Sequence, residues 1–260
     1  MRLLLHGATL GGVPELSDLI EAAAGGFAGV EAPWASVQAA CRRGAGGFAR
    51  RMARMGLCVA ASDAPLTSFM ASPPTSLDGR DGGAAVVEGP DATDARLEAA
   101  GQLLRGLAAF GVGVPLMMVR VAARRAAELN VRERLARMGR IAEACGLRLT
   151  LDVVDDSGVT VPSAVSEALA AAVPWPGIGV VADSLAGPPP VPAAAFARLR
   201  GAPGDSDATG VAWAAALYRG GYRGCVAVVA PPRLGRGEDG LAAAARGLRF
   251  AQGVLRRAGI

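Results

Sequence analysis

A chain of 260 residues matches one (β/α)8 barrel of about 250 residues better than two separate domains, so residues 1–260 are read as a single domain. All 27 basic residues are arginine, which excludes Schiff-base aldolases, lysine-anchored pyridoxal enzymes and the lysine of a phosphate loop. The net charge of +4 comes from arginines scattered among acids, a pattern that fits solvated helix faces or an anionic small molecule and not a nucleic-acid track.

The hydrophobic fraction of 52% is mostly alanine, interrupted by Gly, Pro and Arg, and no run is long and apolar enough to span a bilayer. The four cysteines, Cys41, Cys58, Cys145 and Cys225, lie far apart and are expected to be core thiols, not a metal or redox motif. The lysine-free, Ala-, Arg- and Gly-rich composition is what GC-rich coding produces, a background associated with specialised metabolism.

Taken in chain order, short β-like runs alternate with Ala-rich helical segments. The first strand ends near Gly7 and carries His6, the one histidine. Residues 1–5 run directly into it without the apolar core and cleavage site of a secretory signal, so a cytoplasmic location is expected. Pro14 suits a first helical turn and Gly25 a C-cap. The second strand ends near Ala32 and carries Glu31. Residues 44–47 (Gly, Ala, Gly, Gly) predict a kink or break in a helix, and Gly56 a further C-cap. The third strand ends near Ser62, with Asp63 following. Residues 65–90 are too long and too rich in Pro, Gly, Ser and Asp for an ordinary connection, and predict a long loop or lid over the C-terminal mouth, with a disordered insertion as the alternative.

Gly111 reads as a C-cap, and the fourth strand ends near Val121 with Arg120. Asn130 with Glu133 resembles a capping box, and Gly146 suits the end of that helix. The fifth strand ends near Val154 and carries Asp152; the sixth ends near Ala182, next to Asp183. The proline run at 186–192 predicts a shortened sixth helix. The seventh strand ends near Arg200 and carries Arg198, and the eighth ends near Ala230. Residues 235–240 formally read GxGxxG, but no βαβ unit follows, so an ordinary loop or an anion-holding corner is expected there in place of a dinucleotide site. Eight strands in one domain predict a closed α/β (β/α)8 TIM barrel.

Several of these segments resemble the xylose-isomerase-like barrels, also called sugar phosphate isomerases/epimerases. The resemblance rests on Gly26-Phe27-Ala28-Gly29-Val30-Glu31 for the second strand, 141–152 for the helix and fifth strand, and 178–184 for the sixth strand. It continues in Leu199-Arg200-Gly201-Ala202-Pro203-Gly204-Asp205 for the seventh, and Gly221-Tyr222-Arg223-Gly224 with 226–229 for the eighth. It implies a divalent metal held by a Glu, an Asp, a His or Gln and a Glu at the ends of strands five to eight. The matching positions here are Asp152, Asp183, Arg198 and Val229. A guanidinium and an aliphatic group cannot serve as ligands, so the implied metal site is degraded and no tightly bound metal is expected. A weak divalent metal, with His6 lending a nitrogen, is the remaining alternative. The DNA-repair members of this fold need many histidines, which one histidine excludes.

With strand ends gathered at the C-terminal mouth, His6, Asp152, Asp183 and Arg198 are the candidate catalytic residues, and Glu31, Asp63 and Arg120 the candidate substrate-binding ones. His6 would carry protons. Arg198 would take the space and part of the charge of the lost metal and hold an oxyanion, or would pair internally with Asp152 or Asp183. The leading reading is metal-independent proton transfer next to a carbonyl of a small oxygen-rich metabolite: isomerisation, epimerisation, or a coupled dehydration or cyclisation. The alternatives are a non-catalytic barrel binding a small molecule or partner, and a metal-dependent sugar isomerase/epimerase using Asp152, Asp183, Glu31 and His6. The expected partner is an anionic small molecule, with a homodimer allowed and neither nucleic acid nor membrane involved.

Overall fold

In the computed structural model, eight parallel strands follow one another around a closed barrel in chain order. The structure describes residues 1–44, 46–65, 98, 101–102, 105–106, 116–156, 159–191, 193–201, 207–233 and 237–260. The strands are β1 (Arg2–His6), β2 (Gly29–Pro33), β3 (Val59–Pro65), β4 (Leu116–Ala122), β5 (Arg148–Val154), β6 (Gly179–Asp183), β7 (Ala194–Arg200) and β8 (Cys225–Val229). Around them lie α1 (Leu16–Ala23), α2 (Trp34–Arg43), α3 (Gly46–Arg54), α4 (Leu129–Ala144), α5 (Ser163–Ala172), α6 (Asp207–Arg219) and α7 (Gly240–Arg257). All eight strands fall within three residues of where the sequence places their ends.

Alternation along each strand sorts the side chains into two populations. Leu5, Val119, Leu151, Leu199 and Val228 point outward and pack with helix residues such as Leu19, Leu135 and Val254. Leu4, Met118, Val181, Phe196 and Ala227 point inward and form a smaller, separate cluster inside the barrel. The inner face of each strand therefore ends at the C-terminal mouth in a residue free to be polar, and the register brings these ends level: His6 beside Glu31, Arg120 beside Asp152, Asp183 beside Arg198, Arg200 beside Val229.

Several local expectations need correction. Pro14 precedes α1, whose N-cap is Glu15. The capping box at Asn130 does not form, because α4 begins at Leu129, two residues before the start that a cap at Asn130 implies, and its N-cap, Glu128, makes no side-chain cap bond. The shortening expected of the sixth helix is borne out: no helix is assigned among the described residues of 184–193. Gly146 does close α4, at φ +70°, a backbone conformation that favours glycine, and the break expected at residues 44–47 falls between the end of α2 at Arg43 and the start of α3 at Gly46, which leaves Gly46 and Gly47 inside α3. Most of the predicted lid at 65–90, and the C-cap at Gly111, lie outside the described residues. No helix among those residues is long and apolar enough to cross a membrane.

Candidate active site

On β7 the outward residues Ala197 and Leu199 leave Phe196, Arg198 and Arg200 on the inner face. Arg198 is fully buried. Its Nε donates to Glu31 Oε1 at 3.0 Å and its Nη2 to the same oxygen at 2.5 Å, while Nη1 donates to Asp152 Oδ2 at 2.5 Å. Met118 Sδ lies 2.7 Å from Nη2. A charge so far from water persists only when paired and hydrogen-bonded, and two buried carboxylates supply both requirements.

Thr160, brought over the mouth by an antiparallel bridge to Val154, links the two aspartates. Its hydroxyl lies 3.0 Å from Asp152 Oδ1 and 3.3 Å from Asp183 Oδ2, and its single proton serves one of them at a time. Asp183 Oδ2 also accepts from Arg200 Nε at 2.7 Å, and its Oδ1 accepts from the Leu185 N–H at 3.0 Å. Arg120 Nε stands 3.5 Å from Asp152 Oδ2. The result is one connected network in which three carboxylates, Glu31, Asp152 and Asp183, face three guanidiniums, Arg120, Arg198 and Arg200.

His6 sits at the rim of this network. Its Nδ1 accepts the Ala8 N–H at 3.0 Å, so the neutral ring carries its proton on Nε2, which faces Glu31 Oε1 at 3.6 Å. Exposure separates floor from rim: the side chains of Arg120, Arg200 and His6 are 33%, 25% and 13% exposed, whereas Glu31, Asp152, Asp183 and Arg198 are closed off from solvent. Burial alone would push the Asp152 carboxyl up; the Arg198 and Arg120 guanidiniums, with hydrogen bonds from Arg198 and Thr160, outweigh it and hold the group below the usual carboxylate range. Burial opposes the charge on Arg198 too, but Asp152 and Glu31 hold its pKa well above the usual value.

Six of the seven residues singled out in the sequence thus come together: His6, Glu31, Arg120, Asp152, Asp183 and Arg198. Asp63 lies on β3 in register with Met118, near the same mouth; its side chain is outside the described residues. Arg200 and Thr160 were missed. Arg200 was legible, since it lies two residues beyond Arg198 on the same strand face. Thr160 was not, because a loop brings it in.

The residues present do not fit a divalent metal. The place between Glu31 and Asp152 is taken by a permanent cation, and Val229, level with Arg200, offers no donor atom. Among the described residues no three His, Cys, Asp or Glu side chains gather so as to hold a metal ion.

No protein-family model and no curated protein matches the chain. Solved structures do. A xylose isomerase domain protein from Alicyclobacillus acidocaldarius superposes with a TM-score of 0.72 over 100% of both chains, at 20% sequence identity. The fold is that of the xylose-isomerase-like barrel. Other barrels of this kind include a D-psicose 3-epimerase from Clostridium cellulolyticum H10, solved with D-tagatose (TM-score 0.71, 15% identity, 98% of this chain and 99% of that one). The IOLI protein was solved with a binding zinc atom (TM-score 0.64, 13% identity, 100% and 98% coverage). On the xylose-isomerase-like frame, this chain carries a buried arginine and a valine at two of the four positions where the resemblance implies metal ligands.

Proposed function

We propose that the mouth is the site of a metal-independent isomerase or epimerase that moves a proton next to a carbonyl of a small, oxygen-rich, anionic metabolite. The observation that carries this reading is the partly exposed trio of Arg120, Arg200 and His6 above a floor whose charges are already matched. A substrate anion entering the mouth meets guanidiniums that can turn towards it, while the buried Arg198 stays with Glu31 and Asp152. The sugar epimerases among the structural neighbours add support at the level of reaction type.

In the proposed reaction Arg120 and Arg200 hold the substrate's oxyanion or carboxylate. The Nε2–H of neutral His6 donates to the carbonyl oxygen, the role a neutral imidazole plays in other enolising sites. Asp183 takes the α-proton: when Arg200 turns to the substrate, Asp183 Oδ2 is released from that donor and is open to accept it. The C–H electron pair moves into the enolate, whose oxygen is stabilised by His6. Delivery of a proton from solvent at the mouth to the other face of the enolate carbon gives the epimer, the abstracted proton leaving Asp183 to solvent; return of the proton from Asp183 to the former carbonyl carbon, with His6 Nε2 giving its proton to that carbon's oxygen and taking one from the neighbouring hydroxyl, gives the isomer. Asp152, buried and held low, acts on the field of the site and not as a base. Dehydration or cyclisation would proceed from the same enolate.

The test is exchange of α-protons of hydroxyketones and keto acids into deuterated water, followed by proton NMR with chelator present. Exchange that requires intact His6 and Asp183 supports the proposal; a panel without exchange refutes it. A second reading, a barrel that binds such an anion without transforming it, is favoured by one feature: the Glu31, Asp152 and Asp183 carboxylates all accept hydrogen bonds from protein donors. A ligand-induced rise in melting temperature without exchange would select it.

A further inference from the structure

The inner face of the barrel also has a polar lower end. Leu3, Leu5, Leu149, Leu151 and Val153 pack with the outer core, so Arg2 at the foot of β1 and Arg148 at the foot of β5 share the inward face with His6 and Asp152. Strands β1 and β5 are four apart in a closed barrel of eight, which puts these arginines on opposite sides of the axis. Both are exposed, and neither has an ion-pair or hydrogen-bond partner among the described residues. The contrast with the upper mouth is one of charge: there each guanidinium faces a carboxylate, and here neither does.

A cavity of about 390 Å³ opens at this lower end, lined by Ala60, Leu116, Ala195, Phe196, Cys225 and Arg148. The volume lies within the range of small-molecule sites, about 300–1,000 Å³. Burial pushes the Cys58 thiol up to about 12 and raises the Cys225 thiol as well, so both stay neutral and behave as apolar groups beside Ala60, Leu116 and Phe196 in the inner cluster.

We propose that this lower cavity is a second binding site, for a small organic carboxylate with an apolar body. The hydrocarbon part lies against Phe196 and Leu116, and the carboxylate meets the Arg148 guanidinium at the edge of the cavity. An unneutralised guanidinium beside a low-dielectric wall attracts anions and selects for negative charge. Reacting groups on this fold gather at the opposite mouth, so the lower site binds without transforming, and it stands whether or not the reaction proposed above is correct.

The experiment is calorimetric titration of the purified protein with phenylacetate and with hexanoate at low and high salt, and with uncharged phenylacetamide as the comparison. Saturable binding of the carboxylates at one site, weakened by salt and at least tenfold weaker for phenylacetamide, is expected. Arg148→Met, at an exposed position that leaves the core untouched, should weaken phenylacetate at least tenfold, and Cys225→Phe, which fills the cavity, should abolish binding. Arg200→Met, at the other mouth, should leave it unchanged. Absence of saturable binding to the parent protein, equal binding of phenylacetamide, or binding indifferent to Arg148→Met but lost with Arg200→Met would overturn the proposal.

Discussion

Replacing Arg198 by methionine keeps much of the side chain's bulk and removes the one charge that joins Glu31 to Asp152. Both carboxylates are then left in the barrel interior at 0–1% exposure, with the Arg120 guanidinium 3.5 Å from Asp152 as partial compensation. Removing one partner of a buried pair costs about 3–5 kcal/mol, which for a chain of this size corresponds to a fall in Tm of about 6–20 °C. The pH dependence is the sharper signature. In the parent protein the Asp152 carboxyl is held below its unfolded value of about 3.9. It therefore contributes stability that is present above that value and lost as pH falls through the lower folded pKa.

In Arg198→Met the guanidinium no longer offsets burial, and the carboxyl moves up. The resulting penalty is present at neutral pH and relieved as pH falls through the raised value. Urea unfolding at pH 8 and pH 5 should show a wide gap between parent and variant at pH 8 and a narrower one at pH 5. Adding Glu31→Gln and Asp152→Asn to the variant should recover most of the loss. A gap below about 1 kcal/mol, or one independent of pH, would refute the view that Arg198 balances these carboxylates.

Four further outcomes follow from the same geometry. His6→Phe should lower the rate of α-proton exchange by about 10²–10⁴-fold while leaving Tm close to that of the parent, read by NMR and thermal melting. Arg200→Met should raise KM for an anionic substrate at least tenfold more than for a neutral analogue, measured by steady-state kinetics on the pair. Thr160→Val keeps the shape but removes the hydroxyl between Asp152 and Asp183, and should cost about 1–3 kcal/mol in urea unfolding. Asp239→Ala removes the side-chain acceptor that caps α7 through the Ala242 N–H at 2.7 Å, and should cost about 0.5–2 kcal/mol.

The barrel was legible because its signals are local and repeated. Eight apolar runs, alternating with helical segments closed at residues such as Gly56 and Gly146, admit few other folds. The site was legible to the extent that strand alternation carries it: His6, Glu31, Arg120, Asp152, Asp183 and Arg198 each stand on an inward position near a strand end, and closure of the barrel makes them meet, Arg198 of β7 reaching Glu31 of β2 and Asp152 of β5 across the mouth. Arg200 obeys the same rule and was open to the same reasoning. Thr160 depends on a loop folding back over β5, a tertiary event with no periodic signature. The helix starts failed where two residue types compete for one role: Asn130 looks like a cap, but α4 continues two residues further towards its N-terminus and places Asn130 inside the helix, leaving the cap position to Glu128.

The roles within the site also required the structure. Sequence placed a cation beside two acids without saying which way it faced. Burial shows that Arg198 belongs to the floor, paired with Glu31 and Asp152, whereas Arg120 and Arg200 keep part of their surface in water. The tautomer of His6 depends on one backbone N–H, that of Ala8, which no spacing rule would have singled out.

The central claim is that a guanidinium serves as the resident cation of this mouth. Its most direct test is the melting temperature of chelator-stripped protein titrated with manganese, cobalt, zinc and magnesium, together with the metal content of protein purified without chelator. No stoichiometric metal and no change in Tm are predicted for the parent protein. One equivalent of bound metal with a raised Tm would contradict the account, because a divalent cation and the Arg198 guanidinium cannot both occupy the space between Glu31 and Asp152.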